Sequence, residues 1–244
     1  MSDQVLLSAR GLTKRFGAVT VVDDVSFDLT RGEVLGILGP NGAGKTTLFN
    51  LISGDLAANG GELSLDGSRL SAEPPFKRCQ RGIGRTYQVP QPFGDMTAFE
   101  NLMVPAMMSA RMSEAEASEY CAEVLRDCGL LPRANKLAGG LTLLDRKRLE
   151  LARALATGPK LLLLDEIAGG MTEAECGTLI DLIRQIRASG VTILWIEHVL
   201  HALLKVVDRI MVLDFGKVIA EGPADTILSD PRVTSVYMGP EEAA

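Results

Sequence analysis

The chain has few cysteines and no dense run of basic residues, and both features exclude classes of protein. Its cysteines are scattered without a Cys-x-x-Cys pair, at Cys79, Cys121, Cys128 and Cys176. We therefore expect reduced thiols in a cytosolic core. Lysine and arginine total 25 against 31 aspartate and glutamate residues, a net charge of −6. This balance disfavours duplex nucleic acid, and we expect no nucleic-acid partner.

Long apolar runs are also missing. No window reaches the roughly eighteen apolar residues that a membrane-spanning helix needs. The first twenty residues include Asp3, Arg10, Lys14 and Arg15 without an apolar block, so we expect no secretory signal. If the protein works at a membrane, another chain must hold it there. With 244 residues, of which 46% are hydrophobic, it can form one domain with an inserted or appended subdomain.

The most informative segment is a glycine-rich loop between an apolar strand and a helix. Its residues are Gly39, Pro40, Asn41, Gly42, Ala43, Gly44, Lys45 and Thr46. In a G-x-x-x-x-G-K-[ST] loop, backbone N–H groups and the lysine contact phosphate oxygens, and the final hydroxyl ligates Mg²⁺. The apolar segment Val34–Leu38 predicts the strand, and 46–53 predicts a helix that Gly54 ends. The sequence therefore predicts that the chain binds a nucleoside triphosphate.

Strand and helix patterns alternate along much of the chain. The N-terminal third is rich in strand patterns, and from about 90 to 157 the pattern is helical. Within that stretch, Ser113 and Glu116 form the capping-box pattern of a helix that Gly129 ends, and a second helix is predicted over 145–157. Beyond it we predict strands at 160–164 and 191–196, a helix over 173–189 and a hairpin over 209–220. This alternation predicts a parallel α/β sheet.

Two carboxylates follow the apolar strand 161–164. In a chain with a phosphate loop, Asp165 is the expected second anchor of Mg²⁺, and Glu166 is placed to act as general base on the attacking water. An apolar strand followed by acidic residues is common, so this pattern has weight only together with the upstream loop.

Three further residues are candidates for the same site. His198 follows the apolar strand 192–196, at the sheet edge where ligands bind in open α/β sheets, and could contact the γ-phosphate and the water. Gln88, where the strand-rich part meets the helical stretch, could contact Mg²⁺ and the water. Phe16 either stacks on the adenine or is a core residue near a turn. His201 we assign to packing or solvation.

These residues together resemble an ABC ATPase, the nucleotide-binding subunit of an ATP-binding-cassette transporter. Segments similar to the branched-chain amino-acid import type are 14–17, 46–52, 82–88, 148–153 and 220–239. The resemblance implies a RecA-like P-loop NTPase core over 1–89 and 158–228, with a small N-terminal antiparallel β part. It also implies an inserted α-helical subdomain over 90–157 and a C-terminal tail over 229–244.

The resemblance also implies an activity and partners. Two ATPase subunits would enclose two ATP molecules with Mg²⁺, and Thr47 would join the phosphate loop in binding. Membrane permease subunits would dock near Gln88, placing the chain at the cytoplasmic face of the inner membrane. Hydrolysis would drive import of a small polar solute, and the resemblance points to a branched-chain amino acid or a related compound. The alternatives are the ATPase of a lipid or lipopolysaccharide exporter and a nucleotide-binding regulatory subunit without turnover.

The sequence departs from this family at the signature segment, which acts on the partner subunit's ATP. An ungapped reading places the signature at 141–145, where Thr142 keeps a hydroxyl and Leu143 and Leu144 replace both glycines. A glycine-containing segment at 137–141 resembles the signature more, but is displaced by four residues. In the loop after Glu166, Ile167 replaces a proline and Thr172 replaces Asp or Asn. We expect unequal sites, which favour pairing with a second, different ATPase subunit over the alternative that the chain pairs with itself.

Overall fold

The computed structural model describes residues 4–70 and 73–238, so the predicted tail residues 239–244 lie outside the described residues. The strands are β1 (Val5–Phe16), β2 (Val19–Thr30), β3 (Val34–Leu38), β4 (Gly60–Leu65), β5 (Ser68–Arg69), β6 (Ile83–Arg85), β7 (Leu161–Asp165), β8 (Thr192–Ile196), β9 (Arg209–Asp214) and β10 (Lys217–Pro223). The helices are α1 (Lys45–Ser53), α2 (Pro75–Gln80), α3 (Ala98–Met108), α4 (Glu114–Asp127), α5 (Leu143–Leu155), α6 (Glu173–Ala188), α7 (Leu200–Leu204) and α8 (Pro231–Met238). None of these helices is both long and apolar enough to cross a membrane.

The strands form two sheets, which confirms the predicted α/β class. One has the order β2-β1-β4-β5 and is antiparallel throughout. The other has the order β10-β9-β3-β8-β7-β6, and its strands are parallel except for the β9–β10 hairpin. Because β8 lies between β3 and β7, the carboxyl ends of these three strands meet at one sheet edge. This edge carries the phosphate loop, the carboxylate pair and His198.

Each buried strand of the parallel sheet serves two cores, because successive side chains point to opposite faces. In β7, Leu161 and Leu163 pack with the antiparallel sheet and α1, whereas Leu162 and Leu164 pack with the helical stretch. All four are fully buried. The continuous leucine run is thus typical of a strand covered on both faces.

The helices of the 90–157 stretch begin at capping residues. The predicted capping box of Ser113 and Glu116 is confirmed at the start of α4, and Thr97 and Glu100 form a second one at α3. The Tyr120 hydroxyl donates a 2.9 Å hydrogen bond to the Leu155 carbonyl, which joins α4 to the end of α5.

Two sequence predictions differ from the observed elements. Helix α5 begins at Leu143, two residues before the predicted start at 145, because the Thr142 hydroxyl accepts a bond from the Asp145 N–H. Part of the segment assigned to a C-terminal tail forms a helix, α8, which begins at Pro231. Proline suits this first position, since its missing N–H would have no intrahelical partner there.

Candidate active site

The phosphate loop follows β3 and depends on glycine at two positions. Gly39 has φ of +149° and Gly44 has φ of +100°, a range that other residues rarely adopt. A β-carbon on Gly39 would lie 2.2 Å from the Leu213 carbonyl oxygen, and one on Gly44 would lie 2.4 Å from the Val21 carbonyl oxygen. The loop is therefore pressed against β2 and β9, and neither position accepts a side chain.

Helix α1 begins at this loop without a cap of its own. Its N-cap is Gly44, no side chain of the described residues caps it, and its first turn contains no acidic residue. The helices α3, α4, α5 and α6, by contrast, begin at Ser or Thr caps. The uncapped N–H groups and the helix dipole leave the start of α1 suited to an anion such as a phosphate.

Lys45, the first residue of α1, turns back over the loop. Its Nζ donates to the carbonyl oxygens of Gly39 at 2.6 Å and Pro40 at 2.9 Å, and the residue is 6% exposed. Burial lowers the pKa of Lys45, and the nearby carboxylates of Glu166 and Asp165 oppose this effect. The ammonium group thus faces both the loop and the carboxylate pair. Thr46 and Thr47 follow, exposed and half-buried respectively.

Asp165 ends β7 and is almost fully buried. Its Oδ2 lies 3.1 Å from Nη2 of Arg85, the last residue of the neighbouring strand β6. Its backbone N–H donates to the Thr86 hydroxyl at 3.1 Å. Burial raises the pKa of Asp165 above its usual value, while Arg85 and Lys45 act in the opposite direction. Asp165 is therefore fixed by the sheet.

Glu166, the next residue, is the centre of the site. Its Oε2 accepts a 2.5 Å hydrogen bond from Gln88 Nε2, and its Oε1 lies 2.7 Å from His198 Nε2. Its backbone has φ of +49°, an uncommon conformation for a residue with a side chain, and its N–H donates to the Ile196 carbonyl at 2.9 Å. The structure thus brings together three residues that are far apart in the sequence.

Phe16 lies at the end of β1 and is 48% exposed. Lys14 Nζ lies 5.2 Å from the ring centroid. Phe16 pairs with Val19 on β2, the strand whose Val21 carbonyl contacts Gly44. The alternative of a core phenylalanine is therefore wrong, and the open ring remains suited to stacking on a base.

The segment 141–145, which the sequence predicts to be the signature, lies at the start of α5. Thr142 is the N-cap of α5, and the upstream alternative, 138–140, is a short 3₁₀ turn. Leu143 is 62% exposed at the helix start, and Leu144 is half-buried. Asp145 is 3% exposed, and its carboxylate pairs with Arg133 Nε at 2.9 Å. The segment thus presents a hydroxyl and an apolar side chain, while its acidic residue points inward.

The oxygen atoms available at the site suit Mg²⁺. They come from the Thr46 hydroxyl, the Asp165 carboxylate and the Gln88 amide oxygen, since Gln88 bonds to Glu166 through its nitrogen. Mg²⁺ prefers such hard oxygen ligands, together with substrate phosphates and water. No group of three or more His, Cys, Asp and Glu residues that could hold a metal by itself exists among 4–70 and 73–238. The donor set therefore fits a cation that is held jointly with phosphate.

Three residues that hold parts of this site in place were not predicted from the sequence. Arg85 holds Asp165, Glu197 accepts bonds from the Ala168 and His198 N–H groups at 2.9 Å each, and Lys147 bonds the Ile167 carbonyl at 3.3 Å. Glu197 had a visible signal, because it is a charged residue directly after an apolar strand. Arg85 and Lys147 had none, because their partners lie 80 and 20 residues away.

Comparison with known proteins gives consistent similarities over nearly the whole chain. The family profile described as ABC transporter matches residues 22–169. The branched-chain amino-acid transport ATP-binding protein BraF of Pseudomonas aeruginosa is 37% identical, over 96% of this chain and 98% of that protein. LivG of Escherichia coli, of the same description, is 36% identical over 97% of this chain and 98% of that protein. The lipopolysaccharide export ATP-binding protein LptB of Haemophilus influenzae is 33% identical, over 96% and 97%.

A solved structure has the same fold. The ADP conformation of MJ1267, an ATP-binding cassette of an ABC transporter, superimposes with a TM-score of 0.88 at 32% identity. The match covers 97% of this chain and 99% of that one. The agreement therefore extends over both sheets and the helical stretch.

Proposed function

Because the chain belongs to the ABC transporter family of ATP-binding cassettes, we propose that Glu166 is the base with which it hydrolyses ATP to drive transport. The observation that carries this proposal is the position of the Glu166 carboxylate, which accepts a hydrogen bond from Gln88 on one oxygen and lies 2.7 Å from His198 Nε2 on the other. Both contacts lie at the sheet edge that also carries the phosphate loop. A carboxylate fixed in this way can accept a proton from a water that attacks the γ-phosphate.

The remaining residues of the site bind and orient the nucleotide. Lys45 and the uncapped start of α1 hold the phosphates, and Phe16 stacks on the base. His198 and Gln88 fix the orientation of Glu166 and, with it, the line of attack. Thr46, Asp165 and the Gln88 amide oxygen would hold Mg²⁺, which supplies positive charge against that of the phosphates. The products are ADP, phosphate and the proton taken from water.

An apolar groove beside Gln88 supports docking of membrane subunits. A cavity of about 330 Å³ lies between α2, α3 and the end of α5. Exposed apolar side chains line it or lie next to it, at Phe76, Tyr87, Val89, Phe93, Val104, Met107 and Met108. Such a patch is typical of an interaction site. Since Tyr87 and Val89 flank Gln88, a permease in this groove would be linked to the residue that contacts Glu166, at the cytoplasmic face of the membrane.

The proposed solute is a branched-chain amino acid or a related compound, because BraF and LivG carry that description at 36–37% identity. The test is to tag the chain in its host, purify it with the membrane subunits that accompany it, and place the assembly in vesicles. ATP-dependent movement of leucine, isoleucine or valine toward the face of the membrane on which the ATPase subunits lie supports import. Lipid extraction instead of amino-acid movement would favour the exporter alternative.

We also propose that the second ATPase subunit is a different chain. Leu143 and Leu144 stand where the family has glycine, and an exposed leucine at a helix start crowds a phosphate that approaches its N–H groups. The test is light scattering of Glu166→Gln protein with and without Mg-ATP. A chain that binds ATP and stays monomeric supports a heterodimer, whereas an ATP-dependent homodimer contradicts it.

A further inference from the structure

A buried carboxylate that the catalytic scheme does not use lies next to the site. Glu197 directly precedes His198 and is 1% exposed. Its Oε2 accepts the Ala168 N–H at 2.9 Å, and its Oε1 accepts the His198 N–H at 2.9 Å and the Val199 N–H at 3.3 Å. One side chain therefore joins the loop after Glu166 to the loop that carries His198.

The loop after Glu166 is held from its other side by Lys147. Lys147 Nζ donates to the Ile167 carbonyl at 3.3 Å and also to the Gly169 carbonyl. Glu197 takes the N–H of Ala168, the residue between them. Three consecutive residues of the loop are thus hydrogen-bonded to charged side chains. Lys147 binds the carbonyl oxygens of Ile167 and Gly169, and Glu197 binds the N–H of Ala168.

Lys147 and Glu197 also influence each other electrostatically. Burial lowers the pKa of Lys147, and the Glu197 carboxylate opposes this effect. Removing either charge would take this attraction away, and the remaining residue would keep only its hydrogen bonds to the backbone. We call these two residues the clamp.

The clamp restrains the loop after Glu166, whose backbone has little rigidity of its own. Position 167 is isoleucine rather than proline, so the backbone there is not restrained by a ring. Gly169 and Gly170 follow, and glycine has the largest conformational freedom of any residue. Because Glu166 immediately precedes this loop, an unrestrained loop would let its carboxylate move away from Gln88 and His198.

Lys147 also links the loop to the signature helix. It is the fifth residue of α5, the helix that begins at the Thr142 cap. A displacement of α5 would move Lys147, the two carbonyls it holds, and the backbone next to Glu166. On the basis of the proposed function, we infer that Lys147 and Glu197 are positioning residues that couple the signature helix to the Glu166–His198 pair of the same chain.

Four variants test this inference: Glu197→Gln, Lys147→Met, Lys147→Arg and the double variant Lys147→Met/Glu197→Gln. A glutamine offers one acceptor oxygen and therefore cannot serve both sides that Glu197 joins. We expect Glu197→Gln and Lys147→Met each to lower kcat about 10- to 100-fold, the size of loss that follows from slight misplacement of catalytic groups. KM for ATP should remain within about twofold, because neither residue touches the phosphate loop.

The pattern among the variants separates positioning from general damage. Lys147→Arg should restore most of kcat, since arginine also donates to two carbonyls. The double variant should cost little more than the larger single one, because both residues act through one loop. Lys205→Met and Glu123→Gln, which change exposed residues elsewhere, serve as matched controls and should behave as wild type. Parallel losses in kcat and ATP binding, or single effects that multiply in the double variant, would overturn the inference.

Hydrogen exchange provides a readout that does not need turnover. The Ala168 N–H is protected by Glu197, so exchange of the peptide covering 166–171 should accelerate in Glu197→Gln and Lys147→Met, while the α1 peptide stays unchanged. If the wild-type chain, purified together with the subunits that accompany it, fails to hydrolyse ATP but this exchange pattern holds, the proposed function is wrong and the inference about Lys147 and Glu197 stands. If the wild-type protein hydrolyses ATP but the variants change neither kcat nor hydrogen exchange, the inference that Lys147 and Glu197 are positioning residues is wrong.

Discussion

Arg85 and Asp165 form an ion pair between the last residues of two neighbouring parallel strands, with Nη2 and Oδ2 3.1 Å apart. Their side chains are only 6% and 4% exposed. Arg85 Nη1 also donates to Asn50 at 2.6 Å and Ser53 at 2.9 Å, both on α1. One guanidinium thus connects the helix that follows the phosphate loop to the carboxylate proposed to hold Mg²⁺.

Replacing Arg85 by methionine should destabilise the protein strongly, because Asp165 would remain buried without its cation. Breaking a buried pair from one side costs about 3–5 kcal/mol. Urea unfolding at neutral pH measures this loss. The matched control is Arg184→Met, whose pair with Asp181 is exposed, and it should change stability by less than about 0.5 kcal/mol. Equal losses in the two variants would show that the buried pair has no special role.

Phe16→Ala should weaken ATP binding without unfolding the chain, because the ring is half-exposed and its proposed partner is the base. Loss of base–aromatic stacking costs about 1–3 kcal/mol, or roughly 5- to 150-fold in Kd. Titration with a fluorescent ATP analogue measures it. Phe16→Trp should retain tight binding, and Phe76→Ala, which removes another exposed ring, should leave Kd unchanged. Unaltered binding in Phe16→Ala would remove Phe16 from the site.

Glu33 should account for part of the loss of stability in acid. Burial acts to raise its pKa, but hydrogen bonds from Arg209 and Thr30 outweigh this and hold the pKa below its ordinary value of 4.5. A group with a lowered pKa in the folded state stabilises it above the unfolded value and loses that contribution as the pH falls through the folded value. Wild-type stability should therefore decline below about pH 4.5.

The Glu33→Gln variant isolates that contribution. Its free energy of unfolding should be lower than that of wild type at pH 7, and the difference should shrink as the pH is taken below 4.5. Urea unfolding at several pH values gives the two curves. A constant difference between them would mean that Glu33 is not the titrating group. Glu123→Gln, at an exposed position, is the control and should follow the wild-type curve.

The double variant Leu143→Gly/Leu144→Gly should allow two copies of the chain to associate. In the Glu166→Gln background, Mg-ATP should then produce a dimer in light scattering, because the start of α5 would be open to a phosphate held by a second copy. Leu131→Gly, which removes another exposed leucine, should leave the protein monomeric. If the double glycine variant also remains monomeric while binding ATP, the leucines are not what prevents pairing.

Much of this architecture is local in the sequence, which is why it could be predicted. Strand β3, the phosphate loop and α1 follow one another without interruption, and their apolar run, glycines and lysine are diagnostic together. Helix α4 has its capping box within four residues, so its start was also predictable. The placement of Asp165, Glu166 and His198 at one edge follows from the parallel sheet, in which strand ends coincide.

The contacts that position the site were not predictable, because they join residues that are distant along the chain. Strand β6 has three residues, too few for a periodic pattern, and Arg85 in it looks like an ordinary surface cation until β6 pairs with β7. Lys147 similarly lies on an amphipathic helix, where a lysine is usually solvated. Only the packing of α5 against the loop after Glu166 gives it two carbonyl partners.

The most direct test of the account compares ATP turnover by wild-type and Glu166→Gln protein, each tagged and purified from its host's membranes with the subunits that accompany it. The two assemblies should contain the same partners and bind ATP with the same Kd, because Glu166 is outside the phosphate loop. Turnover should fall by about 100-fold or more in the variant, since general base catalysis contributes about 10²–10⁴-fold. A Glu166→Gln assembly that hydrolyses ATP at close to the wild-type rate would contradict the account.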